Sequence, residues 1–317
     1  MKRKGFTLVE LLVVIAIIAL LMGLLMPALA MVQKMASRAV CGTHLSAIYK
    51  GLLTYAHQYN DDFPRAGGRA STWGVNSSSA WDAPSEIAAF GIGSNGTGGR
   101  ATIGASLYYL IKYADLTPKV FLCKGDEGSR EFKLSEFTPN QLLEQELRRA
   151  WDFGGRADST TGMPTAQYYS YSYAIPYLEA DYAIYAPSTA RQPGFALMAD
   201  RSPYFVLTKD DPSNAANPVF VYNPGDETDI KWGNSQSHQR EGQEVLYNNG
   251  AVNFQKVSYC GLNGDNIYTY APPGYRPEAG TTGASPARLF RTTIRPQNDN
   301  DSVLVNEGVG QGHVQGP

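Results

Sequence analysis

The chain has 317 residues, a formal net charge of −2 and only 18% charged side chains against 43% hydrophobic ones. That balance excludes a basic nucleic-acid footprint, and the 32 glycines, 19 prolines and 20 tyrosines suggest a loop-rich, strand-containing body with polar aromatic surfaces. The three cysteines, Cys41, Cys123 and Cys260, leave at least one thiol unpaired in a monomer, and none stands in a CxxC metal spacing.

The chain opens MKRKGFTLVELLVVIAIIALLMGLLMPALAMV, and from Phe6 to Val32 the only polar side chains are Thr7 and Glu10. A bilayer core of about 30 Å takes roughly 20 helical residues, which Phe6 to Leu25 supply. Lys2, Arg3 and Lys4 precede this run, so the positive-inside rule holds the N-terminus in the cytoplasm and exports the body. Two other readings compete. Ala28-Leu29-Ala30 offers the small-x-small site of a cleaved secretory signal, although the apolar run is long for one and contains a carboxylate. A plain uncleaved anchor is the other. Glu10 is costly in hydrocarbon unless it finds a partner or snorkels to the headgroups. Pro27 removes a helix donor, and with Gly23 one turn earlier it marks a flexible point.

Past the membrane, Cys41, Leu45, Ile48, Leu52, Tyr55 and Tyr59 recur at steps of 4, 3, 4, 3 and 4. This is one apolar stripe on a helix that should pack against the body. Asn60, Asp61, Asp62 and Pro64 end it, giving an amphipathic helix over 31–62. Residues 65–104 are rich in Gly, Ser and Asn and read as a surface loop insertion, with Trp73 and Trp81 either pinning it down or displayed to a partner. Ser106–Ala114 reads as a short helix, Lys119–Cys123 as a strand, and Thr138-Pro139 as the start of a helix running to about Trp151. Tyr168–Tyr173 and Phe195–Asp200 are strand candidates. Glu244–Tyr247 and Val252–Val257 flank Asn248-Asn249-Gly250, a strong hairpin signal. His238, just before it, reads as a structural hydrogen-bonding group for the loop, with a ligand-binding or assembly role as the alternative. Residues 271–317 read as an irregular tail that partly wraps the domain; Asp299 and Asp301 lie in it, without EF-hand spacing.

The run Lys4-Gly5-Phe6-Thr7-Leu8-Val9-Glu10 closely resembles the type III signal of type IV pilins and type II secretion pseudopilins. The resemblance implies a cleaved leader over 1–5, cut between Gly5 and Phe6 by a prepilin peptidase, and N-methylation of Phe6. It implies a transmembrane helix over 6–30 and an assembly role for Glu10, whose counterpart pairs with the new amine of a neighbouring subunit, with Gly23 and Pro27 as the segment that loosens in the fibre. Cys41 to His44, the Asn60–Pro64 end, Cys123 to Asp126, and His238 with Asn249-Gly250 resemble pseudopilin-like chains bearing a prepilin-processing-associated motif. Asn249 stands where that motif has Asp, Ala251 where it commonly has a second His, and His44 where it has Asn. Cys41 and Cys123 are both family-like positions, and a disulfide between them is one option; buried free thiols are the other.

The fold this implies is α+β: a long N-terminal helix packed on an antiparallel sheet with large insertions, the globular domain spanning 63–270. The function it implies is a pseudopilin or minor pilin subunit of a type II secretion pseudopilus or type IV pilus-like filament. Its partners would be the peptidase, sister pilins and the inner-membrane assembly platform, and its place a single-pass inner membrane with the body periplasmic, or extracellular in a surface pilus. The alternative is a membrane-anchored binding module for a secreted substrate, glycan or sister subunit, which an open patch of Trp73, Trp81 and the 168–173 tyrosines would favour. GxSxG, HExxH, paired metal spacing and a phosphate loop are missing from the sequence, so no enzyme, cofactor or metal is expected; Asp200 and His238 could meet, but no nucleophile is identifiable.

Overall fold

The computed structural model describes residues 8–68, 70–74, 81–126, 128–136, 144–153, 167–177, 186–203, 227–269, 296 and 300–306. Helix α1 runs from Leu8 to Gln58, 51 residues, about 75 Å at the usual helical rise. Its two halves live in different surroundings. Every residue from Leu8 to Gln33 is exposed, whereas Cys41, Leu45, Ile48 and Leu52 are completely buried. The stripe at helical spacing thus becomes part of the domain core. Its expected last member, Tyr59, lies past the helix end and stacks on Tyr55 with ring centroids 4.1 Å apart. Asn60 and Asp61 take left-handed backbone (φ 53 and 64), which Asn and Asp tolerate. The helix therefore stops four residues short of the expected Asp62.

The sheet is β6-β5-β4-β3-β7, built from β3 (Tyr171–Ala174), β4 (Ala196–Asp200), β5 (Gln243–Tyr247), β6 (Val252–Gln255) and β7 (Leu304–Val305). All four pairings are antiparallel. β3, β4 and β5 are buried along their whole length, so both faces are covered, which suits the unbroken apolar run of Ala196–Ala199. The β5–β6 connection closes with Gly250 N–H donating to Tyr247 O at 2.8 Å, and Gly250 takes φ +82. A type I turn followed by a left-handed glycine has this form. From the C-terminal tail, β7 joins the sheet edge; residues 270–295, 297–299 (Asp299 among them) and 307–317 lie outside the described residues.

Several sequence expectations are corrected. The 65–104 segment is not a plain surface loop. It holds β1 (Thr72–Trp73), α2 (Glu86–Phe90) and β2 (Arg100–Ala101); β1 and β2 pair in parallel, and Trp73, Phe90 and Ala101 are buried. Helix α3 begins at Ile103 rather than Ser106, because Thr102 caps it by accepting the Ala105 N–H at 2.8 Å. The expected strand 119–123 is a 3₁₀ turn, Pro118–Phe121; Pro118 presets its first residue, and Phe121 O accepts from Ser170 N–H at 2.8 Å outside any ladder. Of the expected helix 138–151, Glu144–Arg149 is 3₁₀ and 137–143 lie outside the described residues.

The tyrosines of the 168–173 segment are not surface groups either. Tyr168, Tyr169, Tyr171 and Tyr173 are at most 1% exposed. Edge-to-face contacts run through Tyr108–Phe153 (5.1 Å), Phe121–Phe153 (5.5 Å), Phe132–Tyr168 (5.4 Å) and Tyr108–Phe132 (5.8 Å). Other tyrosine hydroxyls satisfy main-chain carbonyls at element ends: Tyr177 donates to Thr102 O (2.6 Å) and Tyr268 to Asp200 O (2.8 Å). Tyrosine here supplies aromatic packing together with donors for irregular backbone.

Thr102 also donates to Asp152 Oδ2 at 2.6 Å, while Phe153 N–H donates to Oδ1. Burial pushes the Asp152 carboxyl from 3.8 up to about 6. The folded state thus holds this proton more tightly than the unfolded chain. The stability it contributes is complete below about pH 4 and is lost as pH rises through 6. The amount is about 3 kcal/mol by the usual conversion. Unfolding curves of Asp152→Asn and the wild type should therefore diverge between pH 4 and 7, the wild type losing stability that the variant keeps; parallel curves would contradict it.

Candidate functional site: where the anchor helix meets the domain

The embedded half of α1 lies alongside β5, and the two run in the same direction. Lys34 Nζ lies 2.6 Å from Glu241 Oε1, and Arg38 pairs with the other oxygen of the same carboxylate. The hydrogen bond from Lys34 holds Glu241 below its usual range. Arg38 also lies over the Phe254 ring, 3.9 Å from its centroid. Farther along, the Tyr49 hydroxyl donates to Asn248 O at 2.7 Å. A Cβ at Gly250 would collide with the Tyr49 ring, so the hairpin tip needs glycine for close approach as well as for its φ. Between these contacts Glu244 faces Gly42, and burial pushes its carboxyl up to about 7.

The centre of the junction is a buried group from four separate segments. Cys41 comes from α1, Cys123 from the loop after the 3₁₀ turn, Asp200 from the end of β4 and His238 from the segment before β5. Cys41 and Cys123 are joined as a disulfide. His238 Nε2 lies 3.3 Å from Cys123 Sγ and 3.4 Å from Asp200 Oδ2. The Glu244 N–H donates to Asp200 Oδ2 at 2.8 Å. Burial, and then the Arg38 charge, lowers His238 to about 4, so its imidazole is neutral at neutral pH. Burial also drives Asp200 well above the ordinary carboxylate range. Half-buried Asp126 goes the other way: burial opposes its charge, but Arg201 and hydrogen bonds from Ser129 and Arg201 hold it low.

Asp200 and His238 do meet, as a sequence reading of acid and base would require. However, their side chains are 0% and 2% exposed and the adjacent sulfur is tied in the disulfide. His238 and Asn249-Gly250 stand at opposite ends of β5 and are not brought together. Each end meets α1 instead, near Cys41 and at Tyr49, residues about 12 Å apart along the helix. Sequence reasoning missed Glu241, whose two cationic partners lie some 200 residues upstream, and Glu244. The only local signal was the cationic pair Lys34 and Arg38, one turn apart on α1.

At the other end, Gly5 and Phe6 lie outside the described residues, and Glu10 is exposed in the first turn of α1. The helix continues through Gly23 and Pro27. It is long and apolar enough to cross a membrane, and its most apolar stretch is not buried against the domain. Residues 1–26 match the family described as the prokaryotic N-terminal methylation motif. The chain is type IV pilin-like at its N-terminus. No curated protein and no solved structure matches it. The methylation-motif match ends before the domain begins, so the pilin-like architecture of the rest is read from the fold itself: an apolar N-terminal helix merging into an α+β domain with a five-stranded antiparallel sheet.

Proposed function

We propose that this pilin-like protein is a filament subunit, a pseudopilin or minor pilin, cut by prepilin peptidase between Gly5 and Phe6, methylated on Phe6 and assembled through α1. One observation carries this reading: a single helix whose first 26 described residues are all exposed and nearly all apolar, and whose second half is built into the domain. The free half suits a bilayer before assembly and a packed helical core afterwards. The body would be exported from a single-pass inner-membrane precursor and would form the outside of a homo- or hetero-oligomeric filament. Glu10 supplies register, because its carboxylate is tolerable in apolar surroundings only beside a cation, which the Phe6 amine of an adjacent copy provides. Pro27 lacks the N–H that would bond Gly23 O; the two residues share one missing hydrogen bond and mark where the helix opens during packing. An open patch of Trp73, Trp81 and the 168–173 tyrosines would have favoured the binding-module reading, and Trp73 and those tyrosines are core residues.

Peptide mass analysis of the chain from its native membrane should find a methylated Phe6 terminus. Glu10→Gln should be processed normally, yet its incorporation into polymer should fall roughly ten- to hundredfold, the loss expected for a charge-assisted contact. Unchanged polymer, or a leader that is never removed, would overturn the assignment.

A further inference from the structure

We propose that Cys41, Cys123, Asp200 and His238 form a two-state lock between the anchor helix and the domain: as a dithiol they hold one divalent cation of the zinc class, and as a disulfide they hold none. One ligand atom from each lies within 4.8 Å of all the others. Two thiolates, an imidazole and a carboxylate are a complete tetrahedral donor set for a borderline-soft ion. All four residues are more than nine-tenths buried, so no solvent-exposed acid is involved.

Three further features point to a ligand. Asp200 Oδ1 is buried without a hydrogen-bond partner, although buried carboxylate oxygens are normally satisfied. The other oxygen is oriented by the Glu244 N–H, the kind of outer contact that aims a metal-binding carboxylate. His238 sits in the left-handed region (φ 56, ψ 31), a strained position for a residue with a side chain. Residue 125 is glycine where any Cβ would fall 2.6 Å from His238 Nδ1. The backbone is thus shaped on both sides of the imidazole to place Nε2 between Cys123 Sγ and Asp200.

The two states exclude each other. Loading the dithiol forms two metal–sulfur bonds, one metal–nitrogen bond and one metal–oxygen bond, and releases to solvent the two thiol protons together with the proton of Asp200 where that carboxyl carries one. Oxidation by a disulfide reagent joins Sγ to Sγ, passes two electrons to the reagent, whose S–S bond breaks and whose two thiolates take up protons from water, and expels the cation. Either state ties α1 to the loop at Cys123. A chain made in a reducing compartment could therefore be locked by metal before export and by the disulfide after it.

The test uses the full chain in detergent micelles, with Cys260→Ser to remove the third thiol. After reduction with a phosphine, Co²⁺ should bind at one ion per chain with a thiolate-to-cobalt charge-transfer band and tetrahedral d–d intensity, and Zn²⁺ should displace it. Zn²⁺ should slow alkylation of Cys41 and Cys123 at least tenfold. Asp200→Asn and His238→Gln should each weaken Co²⁺ binding at least tenfold, and the oxidised protein should take up none. Absence of the charge-transfer band, equal uptake by oxidised protein, or unchanged affinity in both variants would overturn the proposal. Should either variant fail to fold in its oxidised form, the alkylation rates of the wild-type chain with and without Zn²⁺ decide.

Discussion

Leu45→Asp should unfold the domain while leaving the apolar first half of α1 unchanged. Leu45 is 0% exposed within the α1 stripe. Truncating such a leucine costs about 2–5 kcal/mol, and burying a carboxylate in its place adds a desolvation cost. A domain has only about 5–15 kcal/mol in total. The melting temperature of the domain, measured on the full chain in micelles, should fall by more than about 10 °C. Leu20→Ala is the control. Leu20 is 66% exposed on the half of α1 that never enters the core, so domain melting should not move while membrane partition weakens. A drop of less than about 2 °C for Leu45→Asp would mean that the helix is a tether and not a core element.

Removing the Cys41–Cys123 disulfide should be nearly as damaging. It closes 82 residues of chain, and loop-closure entropy over that span amounts to about 4–5 kcal/mol. Cys41→Ser and Cys123→Ser should each lose this, and the double variant should lose no more than either alone, because one bond disappears in all three. Urea unfolding of oxidised and reduced wild type gives the same comparison without substitution. Equal midpoints for the two forms, or additive single losses, would contradict it.

Both experiments act on the junction, and the two ends of the chain differ in how legible they were. The membrane half of α1 answers to its own composition: enough consecutive apolar residues to span a bilayer, a cationic leader and one acid are all local. The stripe at Cys41–Tyr55 was legible because helical periodicity repeats within a few residues. So were β4 and the β5–β6 hairpin, whose continuous apolar run and Asn-Gly turn are short-range signals. Where local signals competed, they misled. Lys119–Cys123 has strand-like residues, yet Pro118 at its start makes it a 3₁₀ turn. The Gly- and Ser-rich insertion looked like surface, yet Trp73 and Phe90 anchor it in the core.

Amino-acid order alone determined that this protein carries a pilin-type methylation segment on an apolar helix, because those properties depend on residues within one or two turns of each other. Only the tertiary structure decided that Tyr168, Tyr169, Tyr171 and Tyr173 face inward, that Glu241 receives Lys34 and Arg38, and that two cysteines, an aspartate and a histidine drawn from positions 41 to 238 converge on one point beside the helix. Those arrangements depend on strand order and on which surfaces are covered, and side chains separated by scores of residues leave no spacing in the sequence to announce that they will meet.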